Sequence, residues 1–207
     1  MSQHQQESAF LRPLEGKTAT FLFDDRETNV AFASALTMTL AKGGARCEVL
    51  DLDALYSSNA DRIFGGIPAE AASKVRLHVP EPGADIEAEF SDLFASESRY
   101  LVVDSLNSFY HLISFEDGVY RGRKLSFAVA GLAFAARTTG GTAILSMYRR
   151  EGPPRMGTGA SISTLSEVTV GVSMDGKELQ LRTERGSAWA GGACSIRSPS
   201  GRPARRQ

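Results

Sequence analysis

The residues best placed to do chemistry lie in one phrase, Arg99-Tyr100-Leu101-Val102-Val103-Asp104-Ser105-Leu106, where an apolar run leads into an aspartate and a small hydroxyl residue. An unbroken apolar run of that length suits a strand buried on both faces, the habit of parallel sheets. Its aspartate then emerges at the carboxyl end of the strand, where open α/β sheets place their ligand chemistry. In nucleotide-hydrolysing proteins an aspartate so placed holds the water shell of a magnesium ion beside a phosphate loop. Yet no G-x-x-x-x-G-K-[ST] loop occurs anywhere in the chain, so the carboxylate lacks the cradle it would serve.

Other constellations are weaker. His78 and His111 have no G-x-S-x-G elbow to serve, and His4 lies in a polar lead-in. His111 reads as a loop or helix-end residue rather than a base. Cys47 and Cys194 lack metal-type spacing and read as two buried thiols of a reduced compartment. Gly16-Lys17-Thr18 imitates the end of a phosphate loop, but it precedes a strand, whereas such a loop follows the strand and opens the helix.

With 207 residues and 42% apolar content, the chain can bury one sizeable core, and one domain is expected. A net charge of -1 argues against a generic nucleic-acid binder. The charge is uneven, however: from Arg149 onward about ten basic residues stand against five acidic ones. No stretch reaches the length of a membrane span and the first residues carry no apolar signal core, so a cytoplasmic protein without a membrane partner is expected.

These residues need elements to position them. Thr18 to Phe23 reads as a first strand, followed by Asp24-Asp25-Arg26-Glu27 and a mostly buried helix from Thr28 to Lys42 that Gly43-Gly44 stops. Cys47 to Asp53 reads as a second strand, with a short helix near Asn59 to Phe64. Val75 to Val79 reads as a third strand and Ile86 to Phe94 as a helix, before the strand that starts at Tyr100. A long helix from Arg123 to Thr138 precedes the apolar strand Thr142 to Met147. Glu167 to Val172 and Glu178 to Arg182 form two strands joined by an Asp175-Gly176 hairpin signal. Strands alternating with helices imply right-handed crossovers and a mainly parallel sheet finished by an antiparallel hairpin. Residues 1–12 read as a flexible lead-in, 13–197 as the core domain, and 198–207 as a disordered basic tail.

This ordered set resembles the RecA/KaiC-like ATPase core, and within it the archaeal recombinase paralogues of the RadA and RadB kind, over about Leu14 to Ile196. The family's opening phrase matches Glu15 to Phe23, then Thr28-Asn29-Val30-Ala31, Gly43-Gly44 and Leu50-Asp51-Leu52-Asp53. Leu101 to Ser105 matches the magnesium-side strand, and Thr142 to Ser146 matches the strand that usually ends in a polar phosphate sensor. The resemblance therefore implies an α/β, RecA-like three-layer core. It also implies a degenerate nucleotide site made of Arg26, Thr28, Asp53, Asp104 and Ser146. Where the family carries its glycine-rich loop with lysine, this chain has Asp24-Asp25-Arg26-Glu27-Thr28-Asn29, whose carboxylates would repel a triphosphate. The family's catalytic glutamate falls at about Asp53, one methylene short, a displacement of roughly 1.5 Å that can cost about 10²-fold. A pseudo-ATPase without an ATP or magnesium cofactor is implied, with Asp104 holding a neighbouring loop; a residual metal-site role is the alternative.

By family position, two loops match the DNA-binding loops of RecA-like recombinases. One supplies Arg121, Arg123 and Lys124 with Tyr120; the other supplies Arg149, Arg150 and Arg155. Flexible backbone, arginines for phosphates and an aromatic for stacking suit single-stranded DNA bound without sequence preference. The alternative is a pair of solvated surface loops. The resemblance implies a non-hydrolysing accessory or regulatory protein of DNA recombination or repair, acting with DNA, a RecA-family recombinase or a second copy. Its rivals are a KaiC-like signalling or assembly partner without DNA binding, and a weak ATPase with an unorthodox nucleotide site.

Overall fold

The apolar runs around Val103 and Ile144 form adjacent central strands of an eight-stranded sheet. The computed structural model describes residues 10–81, 83–113, 118–149 and 166–197, with side chains described except at 118–121 and 190. In chain order the sheet is built from β1 (Thr18–Phe23), β2 (Cys47–Asp51), β3 (Val75–His78), β4 (Tyr100–Asp104) and β5 (Thr142–Tyr148), then β6 (Val168–Asp175), β7 (Glu178–Arg185) and β8 (Ala193–Arg197). Their spatial order is β3-β2-β4-β5-β1-β6-β7-β8. The strands from β3 to β6 are parallel, and β7 and β8 pair antiparallel at the far edge. The hairpin turns at Gly176, whose φ of +59° is a left-handed conformation open to glycine without a Cβ clash.

Helices cover both faces. α1 (Arg26–Gly43) packs on one face and is buried almost all round from Thr28 to Ala41. It ends at Gly44, whose φ of 68° forms a left-handed cap, as the Gly43-Gly44 pair predicts. The short helices α2 (Leu55–Ser58) and α3 (Ala60–Phe64) lie against α1, and α4 (Ala69–Ala72) leads into β3. On the opposite face lie α5 (Ile86–Ala95), α6 (Leu106–Leu112) and α7 (Gly118–Thr139). The pleat of β4 divides its side chains accordingly. Tyr100 and Val102 join the α1 core with Phe21, Phe23 and Ile144, while Leu101 and Val103 join the α5–α7 core with Leu132 and Leu145. The result is a three-layer α/β architecture with two hydrophobic cores sharing one sheet.

Several boundaries differ from the sequence reading. Phe10 and Leu11, placed in the lead-in, are buried core residues, and the indole N–H of Trp189 donates to the Phe10 carbonyl at 3.2 Å. β2 ends at Asp51, so Asp53 lies in the loop beyond the strand. Cys47 is buried as expected, but Cys194 on β8 is half-exposed because an edge strand is covered on one side. α7 starts five residues before Arg123, at Gly118.

Candidate functional site

The carboxyl ends of β1, β2, β4 and β5 converge on one edge of the sheet, where this topology places ligands. The first element there is the β1–α1 connection, which consists of Asp24 and Asp25 alone. Asp25 is the N-cap of α1: its Oδ1 accepts from the Thr28 backbone N–H at 2.7 Å, and its Oδ2 accepts from the Thr28 hydroxyl at 2.8 Å. A phosphate cradle needs a longer glycine-bearing loop and free N–H groups at this helix start. Here a fixed carboxylate of the chain itself sits where the anion would bind, and a second anion would meet its charge.

The charges around that cap are paired among themselves. Arg26 turns from α1 to the loop after β2, giving Nη1 to Asp53 Oδ2 at 3.3 Å and Nη2 to the carbonyls of Asp53 and Ala54 at 3.0 and 3.1 Å. Glu27 forms a two-point ion pair with Arg62, whose hydrogen bond holds the Glu27 carboxyl below its ordinary range. Asp24 accepts from Arg149 Nε at 3.2 Å, and the same guanidinium pairs with Glu184.

Asp104 ends β4 fully buried. Its Oδ1 accepts from Asn29 Nδ2 at 2.9 Å and from the Ser146 hydroxyl at 2.6 Å, while Oδ2 has no hydrogen-bond partner among the described residues. Burial pushes its carboxyl up to about 6; the bonds from Ser146 and Asn29 act in the opposite direction, and the nearby charges of Asp51 and Asp53 add to the rise. Asn29 spends its amide twice, since Nδ2 also donates to the Tyr148 hydroxyl at 2.9 Å. Tyr148 is in turn held by Asn107, which accepts from its backbone N–H at 2.7 Å and donates to its carbonyl at 3.3 Å. Burial pushes the Tyr148 phenol up to about 12, so it stays a neutral hydroxyl.

Asp51, directly across from Asp104 in the β2–β4 register, is a functional-edge residue that the sequence reading passed over. Its buried carboxylate accepts three backbone N–H groups, from Leu55 at 2.8 Å, Tyr56 at 3.2 Å and Ser57 at 2.8 Å. It thereby fastens the start of α2 to the end of β2. The available signal was an aspartate four residues before a helical run, a helix-start pattern masked by the second aspartate two positions later. Asp53, the expected counterpart of a catalytic glutamate, instead accepts from the Ser108 hydroxyl at 3.1 Å and from Arg26.

The structure thus brings Arg26, Thr28, Asp53, Asp104 and Ser146 to one edge, each held by a partner from the chain itself. These residues do not fit a magnesium nucleotide: the cap position is filled by Asp25, Arg26 faces Asp53, and Asp104 is turned inward on Asn29 and Ser146. Among the described residues no group of three or more His, Cys, Asp or Glu side chains is placed to hold a metal ion. Of the basic residues, Arg149 is engaged by Asp24 and Glu184, and Lys124 pairs with Glu87. Arg123 is exposed on α7. Arg150 and Arg155 lie outside the described residues, as do the tail arginines and the side chain of Arg121. No described helix is long and apolar enough to cross a membrane.

No family model matches the sequence, and no curated protein matches it. Solved structures do. The RadB recombinase superposes with a TM-score of 0.65 at 15% identity, covering 89% of this chain and 88% of that one. The KaiC-like protein PH0186 from the hyperthermophilic archaeon Pyrococcus horikoshii OT3 gives 0.60 at 15% identity, covering 88% and 90%. A third solved structure, itself an ATPase domain, gives 0.58 at 11% identity, covering 91% and 86%. The parallel sheet, its two helical layers and its antiparallel far edge are those of a RecA/KaiC-like ATPase fold.

Proposed function

We propose that this chain is a non-hydrolysing RecA-like paralogue, acting as an accessory or regulatory protein in DNA recombination or repair through DNA, a RecA-family recombinase, or both. The observation that carries the non-hydrolysing part is the two-residue Asp24-Asp25 connection, whose Asp25 carboxylate caps α1 where a phosphate would bind. The inward-turned Asp104 supports it, because both donors on Oδ1 belong to the chain. The recombination context is carried by the likeness to a RadB recombinase and rests on fold analogy. A cytoplasmic setting goes with this reading.

A second reading, a KaiC-like assembly partner without DNA binding, is favoured by Arg149. Its guanidinium is held by Asp24 and Glu184, so a DNA phosphate would have to displace two carboxylates. Titration of labelled ATP with and without magnesium tests the non-hydrolysing reading, with absent or very weak binding expected. Saturable, magnesium-dependent binding in the micromolar range that is lost in Asp104→Ala would overturn it.

A further inference from the structure

The long helix α7 presents an apolar stripe to the outside. Phe127 and Phe134 are 74% and 72% exposed, and between them lie Ala130, exposed, and Gly131, half-buried. These four positions follow i, i+3, i+4 and i+7 and share one helix face. Gly131 is kept small by packing, since a Cβ there would come 2.6 Å from the Phe94 ring on α5. Beside Phe127 the surface opens into a groove of about 280 Å³ whose walls include Phe90, Phe94, Phe109 and Ile113. Two large exposed rings flanking a dip beside an aromatic groove mark an interaction surface rather than scattered apolar exposure.

The stripe is symmetric about its own midpoint. In Phe127-x-x-Ala130-Gly131-x-x-Phe134 the sizes read large, small, small, large in either direction. A twofold axis passing between residues 130 and 131 sets Phe127 of one copy on Phe134 of the other and Ala130 on Gly131, the self-complementary match an isologous dimer needs. It also places the second copy's Phe134 beside Phe127 at the mouth of the groove.

The charges agree with that direction. The amino end of the stripe carries the Lys124–Glu87 ion pair and the carboxyl end the Arg137–Glu167 pair. Antiparallel packing brings Glu87 of one copy toward Arg137 of the other, and Glu167 toward Lys124. Parallel packing would bring like charges together at both ends. At about 150 Å² per ring, four rings would bury about 600 Å², roughly half of the ~1,200 Å² at the lower end of specific interfaces, with the groove walls and flanking ion pairs adding to it. We propose that this face is a homodimer interface, with α7 packed antiparallel on α7 of a second copy, Phe127 against Phe134.

Sedimentation velocity of the full chain over a concentration series tests this. A concentration-dependent dimer is expected, weakened by about 100-fold or more in Phe134→Asp and in Phe127→Asp, because each variant dimer loses two central rings. Thermal melting of these variants should match the parent, since both rings are exposed in the monomer. In a Cys194→Ser background, Ala130→Cys should form a disulfide-linked dimer on mild oxidation, whereas Thr138→Cys, opposite Arg123 in the antiparallel register, should not. A chain that stays monomeric to submillimolar concentration overturns the proposal. So does a dimer indifferent to both aspartate substitutions, or one that crosslinks at position 138 and not at 130.

Discussion

Asn29 Nδ2 donates to Asp104 Oδ1 across 2.9 Å, joining the first turn of α1 to the last residue of β4 over 75 residues of chain. The bond turns the strand-end carboxylate inward, and the Ser146 hydroxyl donates to the same oxygen from β5. What could have been an open coordinating group is thus part of the joint between helix and sheet. Its second oxygen is buried without a described partner, which makes the ionised form costly.

That cost gives stability a pH dependence of defined sign. The Asp104 carboxyl rises from 3.8 unfolded to about 6 folded, so between these values the folded chain holds a proton that the unfolded chain releases. The associated stability is fully present below the unfolded value and is lost as pH rises through the folded one. A shift of roughly two units corresponds to about 3 kcal/mol. Asp104→Asn should therefore have little effect near pH 4 and should stabilise the protein by up to about 3 kcal/mol near pH 7, read from urea unfolding at both values. An equal effect at the two pH values would count against a proton on this carboxyl.

Asp51 and Asp53 should differ sharply. Asp51→Ala leaves the N–H groups of Leu55, Tyr56 and Ser57 without their acceptor, the first two in a buried environment, and should cost at least about 3 kcal/mol. Asp53→Ala removes a largely solvent-accessible pair with Arg26 and should cost about 1 kcal/mol or less. Denaturant midpoints of the two variants, compared under the same conditions, check the order.

Val103 and Ile144 sit in the two central strands but face opposite cores. Ile144→Ala should cost about 2–5 kcal/mol, with Val103→Ala toward the lower end because it removes fewer methyl groups. Because the sheet separates the two cavities, the double variant should be additive to within about 0.5 kcal/mol. Strong coupling would mean that the cores collapse together.

If the basic loops contact single-stranded DNA, binding should be sequence-tolerant and should weaken as salt rises. Replacing Arg149, Arg150 and Arg155 together should lower affinity and flatten the salt slope by up to about two units, at about 0.7 per phosphate contact. Arg149→Ala alone should contribute the least of the three, given its pairs with Asp24 and Glu184. Fluorescence anisotropy across a salt series distinguishes these outcomes. A chain ending at Ser198 must be measured alongside, because Arg202, Arg205 and Arg206 could attract DNA by themselves. No binding by the full chain at low salt would favour the assembly reading.

Much of the architecture was legible in the chain. Strands buried on both faces must be apolar throughout, so β4 and β5 stand out as continuous runs. A left-handed cap such as Gly44 and a tight hairpin at Gly176 require glycine and so leave it in the sequence. The missing phosphate loop was equally plain, since a cradle depends on local glycines and a lysine. The short helices α2 and α4 left little trace, because four residues carry too little periodicity to read.

The partners at the sheet edge were not legible. Which of Asp51 and Asp53 ends the strand, which carboxylates claim Arg149, and whether Asp104 faces inward or outward all depend on residues far away in the chain. Asn29 and Asp104 are 75 positions apart, and Arg149 and Glu184 are 35 apart. Local patterning determines whether a segment can be a strand or a helix, because that depends on neighbours along the chain. The pairing of polar side chains depends on sheet order and register, which are decided only when the two cores close on the same sheet.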